Sequence, residues 1–114
     1  MLTTRVENRD GIQLVHVSGG LDFTTLDPFK DVLTAMVSQS KVRIVLDGEN
    51  LTHVNTKGLV LLGQCQRIAL RNFSFFGIAA LNRRIATTIE MLGMGKLVKL
   101  YATVEEAVQA ASAP

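Results

Sequence analysis

An α/β fold is predicted for this chain of 114 residues, with a central mixed, mostly parallel β-sheet packed against about four α-helices. Two observations predict it. After an opening pair of strand-like segments, helix and strand patterns alternate in the order β-β-α-β-α-β-α-β-α. Alternation of this kind makes a parallel sheet joined by right-handed crossovers. The segment 73–80, FSFFGIAA, is also a nearly continuous apolar run. Such a run is the mark of a central strand covered on both faces.

The individual elements follow from local chemistry. Residues 3–8 alternate weakly and read as a short edge strand. Asp10-Gly11 is a turn signal and residues 12–17 alternate in part, so the chain opens with a hairpin that supplies the antiparallel portion of the sheet. Gly19-Gly20 ends the second strand. Asp27-Pro28 opens the first helix, with Asp27 at the cap and Pro28 at the first helical position; Asp22 is a second candidate cap. Phe29, Val32, Leu33, Met36 and Val37 then share one apolar helical face, and Ser38-Gln39-Ser40 closes it. Residues 42–46 form a buried strand rich in β-branched side chains. Residues 47–53 are mostly polar or turn-forming and read as a loop.

The second helix is expected over 56–71. Lys57, Val60, Gln64, Arg67 and Arg71 line one stripe at helical spacing. Gly58, Leu62, Cys65 and Ala69 lie roughly opposite, with Leu61 and Ile68 between the two faces. Beyond the strand at 73–80, Asn82 caps a third helix over 83–92 and Gly93 is its left-handed stop. Residues 97–101 form a short last strand. Thr103-Val104-Glu105-Glu106 is a capping-box pattern that opens a final helix through Ala111. One domain over 1–111 with a frayed tail at 112–114 is the expected organisation.

Composition narrows the function classes. Hydrophobic residues make up 47% and charged residues 19%, as in a globular domain. The net charge of +2 is small and dispersed, and no Lys/Arg cluster with interleaved aromatics points to nucleic acid. The single cysteine, Cys65, excludes an internal disulfide and fits a reducing compartment. No apolar run is long enough for a membrane span, and MLTTRVENRD lacks the apolar core of a signal peptide. A cytoplasmic protein without membrane insertion is expected.

Catalytic and cofactor chemistry find no residue set. His16 lies mid-strand and reads as structural, and His53 is expected to pack at the base of the loop. One Cys gives no zinc-type ligand set. Cys65 lies on the apolar side of its helix and reads as a small core hydrophobe rather than a nucleophile. No glycine pattern matches a phosphate or dinucleotide fingerprint. The four Met residues read as core filler. Arg83-Arg84 reads as a solvated face, although two cations at a helix start oppose the dipole and leave room for an acidic partner. No catalytic residue, metal or cofactor is therefore expected, and the chain is read as a non-enzyme.

The remaining candidate is DGENLTHVNTKGLVLLG, residues 47–63, around which the rest is organised. From the residues alone Thr56 is an N-cap threonine, worth about 1 kcal/mol to its helix. A phosphate there would meet free backbone N–H groups and the positive end of the helix dipole. This stretch resembles the STAS domains, whose best-known members are the bacterial anti-anti-sigma factors, also called anti-sigma factor antagonists. Their pattern opens on Asp-Leu-Ser and closes on Asp-Ser-Ser-Gly. Asp47, Leu51, Val54, Thr56 and Gly58 keep its identity or character, while Gly48, Glu49, His53, Asn55 and Lys57 depart from it. The resemblance extends to Gly20-Leu21-Asp22 upstream. Downstream it takes in Leu92-Gly93-Met94 and Val104-Glu105-Glu106-Ala107, so it covers nearly the whole chain.

The resemblance implies a STAS-like fold and a regulatory role. The family's phospho-acceptor, the first Ser of Ser-Ser-Gly, falls on Thr56. The unphosphorylated domain would bind an anti-sigma factor with a kinase-type ATP-binding domain, and that partner would phosphorylate Thr56. Asn55, Thr56, Lys57, Val60, Gln64 and Arg67 are the expected partner surface. A monomer or weak dimer is expected. The alternative is an accessory STAS subunit of a lipid ABC transporter, whose helix start would contact the ATPase without phosphate transfer.

Overall fold

The computed structural model describes residues 1–113. β1 (Leu2–Arg9) and β2 (Ile12–Leu21) form an antiparallel hairpin. Both turn residues, Asp10 and Gly11, have positive φ, at 52° and 84°. That is the two-residue turn whose twist matches the strands it joins. Then follow α1 (Leu26–Val37), β3 (Arg43–Val54), α2 (Thr56–Arg71), β4 (Phe75–Ala79), α3 (Arg83–Met91), β5 (Lys99–Tyr101) and α4 (Val104–Ser112). The sheet order is β1-β2-β3-β4-β5, parallel from β2 onward. The predicted α/β class, mixed sheet and four α-helices are all present.

Each crossover returns to the neighbouring strand, so α1, α2 and α3 share one face of the sheet. Leu33, Val37, Leu59, Leu62, Cys65, Ala69, Ile85 and Ile89 pack there against Val15, Val17, Ile44, Leu46, Phe76 and Ile78. On the other face α4 sets Ala107 and Ala111 against Ile12, Leu14, Val45 and Ala79. The central strands are thus apolar on both faces, which is why they read as unbroken hydrophobic runs.

Several boundaries differ from expectation, each for a physical reason. β2 does not stop at Gly19-Gly20. It continues through a register shift, with Gly19 at φ 107° and its Cα facing the Met1 carbonyl, where a Cβ would collide. β3 likewise does not break into a loop at Asp47. It stays paired with β2 as far as Val54, through Ser18↔Asn50, Gly19↔Leu51 and Leu21↔Val54. Its polar residues mark the half that extends past β4, which pairs only with residues 43–47. Glu49, Asn50, Thr52 and His53 are exposed there, while Leu51 points into the core.

α1 begins at Leu26 with Thr25 at the cap and no side-chain cap bond, so neither Asp27 nor Asp22 caps it. Asp22 instead closes the preceding turn, its Oδ1 accepting from the Thr24 backbone and hydroxyl. Val32 lies on the predicted apolar face yet is exposed. Phe73 and Ser74 precede β4 rather than belong to it, and Leu97 and Val98 precede β5. Of the four Met residues, Met36 and Met94 pack on the core, but Met1 and Met91 are exposed and fill nothing. α4 is one residue longer than expected: Ser112 is helical and its Oγ donates to the Val108 carbonyl at 2.9 Å. Pro114, the end of the expected tail, lies outside the described residues.

Candidate functional site

The site forms where β3 hands over to α2. Asn55 is held at this junction by three bonds. Its backbone N–H donates to Leu21 O at 2.9 Å, its carbonyl accepts from Leu59 N–H at 3.0 Å, and its Oδ1 accepts from Gly58 N–H at 2.8 Å. With φ −78° and ψ 173° it has the extended backbone of an N-cap. The cap role read into Thr56 therefore belongs to Asn55. Thr56 is the first helical residue, and its exposed hydroxyl is left out of the cap.

Gly58 explains why this helix start sits so low on the sheet. A Cβ at Gly58 would lie 2.7 Å from a Val54 methyl and 2.8 Å from a Leu21 methyl. Without one, the first turn of α2 presses onto the ends of β2 and β3, and Gly58 and Leu59 are buried. The opposite face stays open. Thr56, Lys57, Val60, Gln64 and Arg67 are exposed on it, Val60 at 49%, and Asn55 is half-buried at its edge. The structure thus brings all six predicted contact residues to one side of the α2 start. The first turn holds no acidic residue, and Lys57 sits there against the helix dipole.

The start of α3 is tied to the same junction. Asn82 caps α3 by accepting from Ile85 N–H at 2.9 Å, as predicted. Its Nδ2 also donates to Leu51 O at 3.2 Å and Thr52 O at 3.4 Å on the free edge of β3. Arg83 and Arg84, both exposed, follow directly.

The other candidate side chains have structural duties. His16 bridges two carboxylates, with Nδ1 2.7 Å from Asp47 Oδ2 and Nε2 2.9 Å from Glu7 Oε1. Glu7 also accepts from Arg9, and these bonds, His16 foremost, hold its carboxyl below the usual range. This three-strand link escaped the sequence reading. The hairpin register could have found it, because Arg5 lies opposite His16 and Glu7 is its diagonal neighbour. His53 does not pack at a loop base. It lies over Gly20, whose missing Cβ leaves room for the ring, with Nε2 3.5 Å from Asp22 Oδ2. The Thr24 hydroxyl and N–H, with a smaller share from His53, hold the Asp22 carboxyl down at about 2. Burial pushes the Cys65 thiol up to about 11, the reverse of an activated nucleophile. Among the described residues no cluster of His, Cys, Asp and Glu could hold a metal ion, and no helix is long and apolar enough to cross a membrane.

Comparison with known proteins agrees with this architecture. An anti-sigma factor antagonist from Mycobacterium paratuberculosis is 28% identical, with a TM-score of 0.85 over 99% of this chain and 96% of that one. An anti-sigma-factor antagonist (STAS) domain protein from Planctomyces limnophilus is 13% identical, with a TM-score of 0.82 over 96% and 98% of the two chains. A sulfate transporter family protein from Wolinella succinogenes is 12% identical, with a TM-score of 0.73 over 90% and 86%. At these last two identities the likeness is one of fold. The STAS domain family model matches residues 3–107, and the chain belongs to that family.

Proposed function

We propose that this STAS domain is an anti-sigma factor antagonist that works by binding, not by catalysis. In its unphosphorylated form it binds an anti-sigma factor through the α2 start, and so releases sigma in the cytoplasm. The partner carries a kinase-type ATP-binding domain. It transfers the γ-phosphoryl group of ATP to Thr56 Oγ1, with ADP leaving and the hydroxyl proton lost. The observation that carries this reading is the exposed Thr56 hydroxyl, free of capping duty, at the position of the family's acceptor. The likeness to the Mycobacterium paratuberculosis antagonist supports the same role.

The switch is electrostatic. A phosphate adds a charge of about −1.5 to −2 and strong acceptor oxygens. Within the domain, that charge is tolerated beside the N-terminus of α2. Packed against a partner the phosphate must lose water, at a cost that the single neighbouring cation, Lys57, offsets only in part, and the complex opens.

Intact-mass spectrometry after incubation with a kinase-type anti-sigma factor and ATP tests the reading. A gain of one phosphate, absent in Thr56→Ala, is expected. A gain that survives in Thr56→Ala, or none from a partner shown to be an active kinase, overturns the acceptor assignment. Asn55 and Lys57 specifically favour a second reading in that event. They put an amide and a cation beside Thr56 where the family pattern has a carboxylate and a hydroxyl. Thr56 would then be a plain contact on an ABC ATPase, in a transporter accessory subunit.

A further inference from the structure

Charge is unevenly divided over this fold. α2 and α3 together hold five of the twelve Lys and Arg residues but only one of the ten acids, Glu90. The rest of the chain is therefore net negative although the whole is +2. Three of the five cations, Lys57, Arg83 and Arg84, stand in the first turns of their helices, where they oppose the dipole. None of the five takes part in a salt bridge among the described residues.

The pattern has a shape as well as a sign. Between α1 and α2 runs an open groove of about 340 Å³. Lys30, Arg67 and Arg71 line it with Gln64, over an apolar floor of Leu61 and Ile68, and no acid is among its lining residues. Val60 continues the stripe toward Thr56 as an exposed apolar side chain. At the other side Arg84 shares a shallow hollow with Glu49 and Asn82, so that edge is mixed rather than purely basic.

We infer that the α1–α2 groove, with Val60 at its rim, receives an acidic amphipathic helix of the partner protein. This rests on the partner-binding role proposed above and specifies the chemistry of the partner. Carboxylates of that helix meet Lys30, Arg67 and Arg71, and its apolar side meets Val60, Leu61 and Ile68. Charge complementarity of this kind sets register and rejects wrong partners. It also gives the switch its sign: a phosphate on Thr56 repels an acidic occupant and would attract a basic one. Nucleic acid and anionic lipid share the charge but have no use for a groove with an apolar floor between its cations.

The test is an amide chemical-shift titration of the chain with a synthetic amphipathic helix, Glu on one face and Leu on the other. Its controls are a scrambled peptide of the same composition, duplex DNA, and phosphatidylserine vesicles. Saturable shifts at Lys30, Gln64, Arg67 and Arg71, weaker with the scrambled peptide, are expected. Arg67→Glu with Arg71→Glu is expected to weaken binding about tenfold, and Lys30→Glu, on the other wall, to weaken it in the same direction. Thr56→Glu weakens it further. Equal binding of the scrambled peptide, tighter binding of DNA or vesicles at the same amides, or no effect of the charge reversals in folded protein would overturn the inference. If a kinase-type partner phosphorylates Thr56 and the charge reversals leave that complex unchanged, the groove assignment fails and the antagonist role stands. If the peptide docks as described and no kinase acts on Thr56, the antagonist role fails instead.

Discussion

Replacing Asn55 by Ala separates the cap of α2 from its proposed switch. Asn55 Oδ1 accepts from Gly58 N–H at 2.8 Å. Gly58 is buried under Val54 and Leu21, so water is poorly placed to take over the lost acceptor. Loss of an N-cap costs about 0.5–2 kcal/mol. The buried donor places this one in the upper part of that range, at about 1–2 kcal/mol. Unfolding entropy near the midpoint is roughly 0.24 kcal/mol/K for a chain of this length. Asn55→Ala is therefore expected to lower Tm by about 4–8 °C. Thr56→Ala removes an exposed hydroxyl outside the cap and is expected to stay within about 0.5 kcal/mol of the parent. Thermal denaturation followed by circular dichroism at 222 nm (about the usual helix minimum) measures both. A fall in Thr56→Ala as large as that in Asn55→Ala would refute the division of labour between the two residues.

Three further perturbations follow from the geometry. Val60→Asp puts an acid at a half-exposed position, so stability is expected to hold within about 0.5 kcal/mol while partner binding weakens; a loss above about 2 kcal/mol in chemical denaturation would place Val60 in the core. Phe73 follows the α2 cap at φ 57° and is 82% exposed, with its N–H on Leu70 O and Ser74 N–H on Ala69 O, the helix stop that glycine usually makes. Phe73→Gly is expected to stabilise by about 0.5–1 kcal/mol after allowing for the freer unfolded chain, a rise in Tm of about 2–4 °C, and a fall would show that the ring packs. The Asp22 carboxyl is depressed from 3.8 to about 2, chiefly by Thr24, so its contribution to stability is present above 3.8 and lost as pH falls through about 2. Asp22→Asn is expected to flatten the stability curve across that window in urea titrations, and an unchanged slope would refute the hydrogen-bond account.

Much of the fold was legible because its signals are local. The Asp10-Gly11 turn, the Asn82 and Thr103 caps and the left-handed Gly93 are each written in one or two residues, and all stand where they were expected. The bounds of α2 were legible for the same reason: an amphipathic stripe with Arg71 at one end and a polar cap at the other. The failures are tertiary. Residues 47–53 looked like a loop because most of their side chains are polar. Their backbone is nonetheless a strand, since β2 offers it a parallel edge as far as Leu21. Gly19-Gly20 looked like a stop for a similar reason. The glycines there make room for the Met1 carbonyl and the His53 ring, and neither demand shows in a window of neighbouring residues.

The site was legible in its location and not in its division of labour. Residue types put a cap at the α2 start, and both Asn55 and Thr56 can serve as one. What decides between them is the backbone. Asn55 N–H is drawn to Leu21 O across β2, which holds Asn55 extended and leaves Thr56 as the first helical residue. That choice matters for a residue proposed as a phospho-acceptor. A threonine that capped its own helix would change its bonding to the helix when modified, coupling partner release to domain stability. With Asn55 holding the Gly58 N–H, the Thr56 hydroxyl can gain a phosphate while the cap bond persists. The added charge then sits near the positive end of α2, where it favours the folded domain, and acts against the partner alone. A rigid domain with a separable switch residue needs these two neighbours to do different work, and the β2–β3 register assigns it to them.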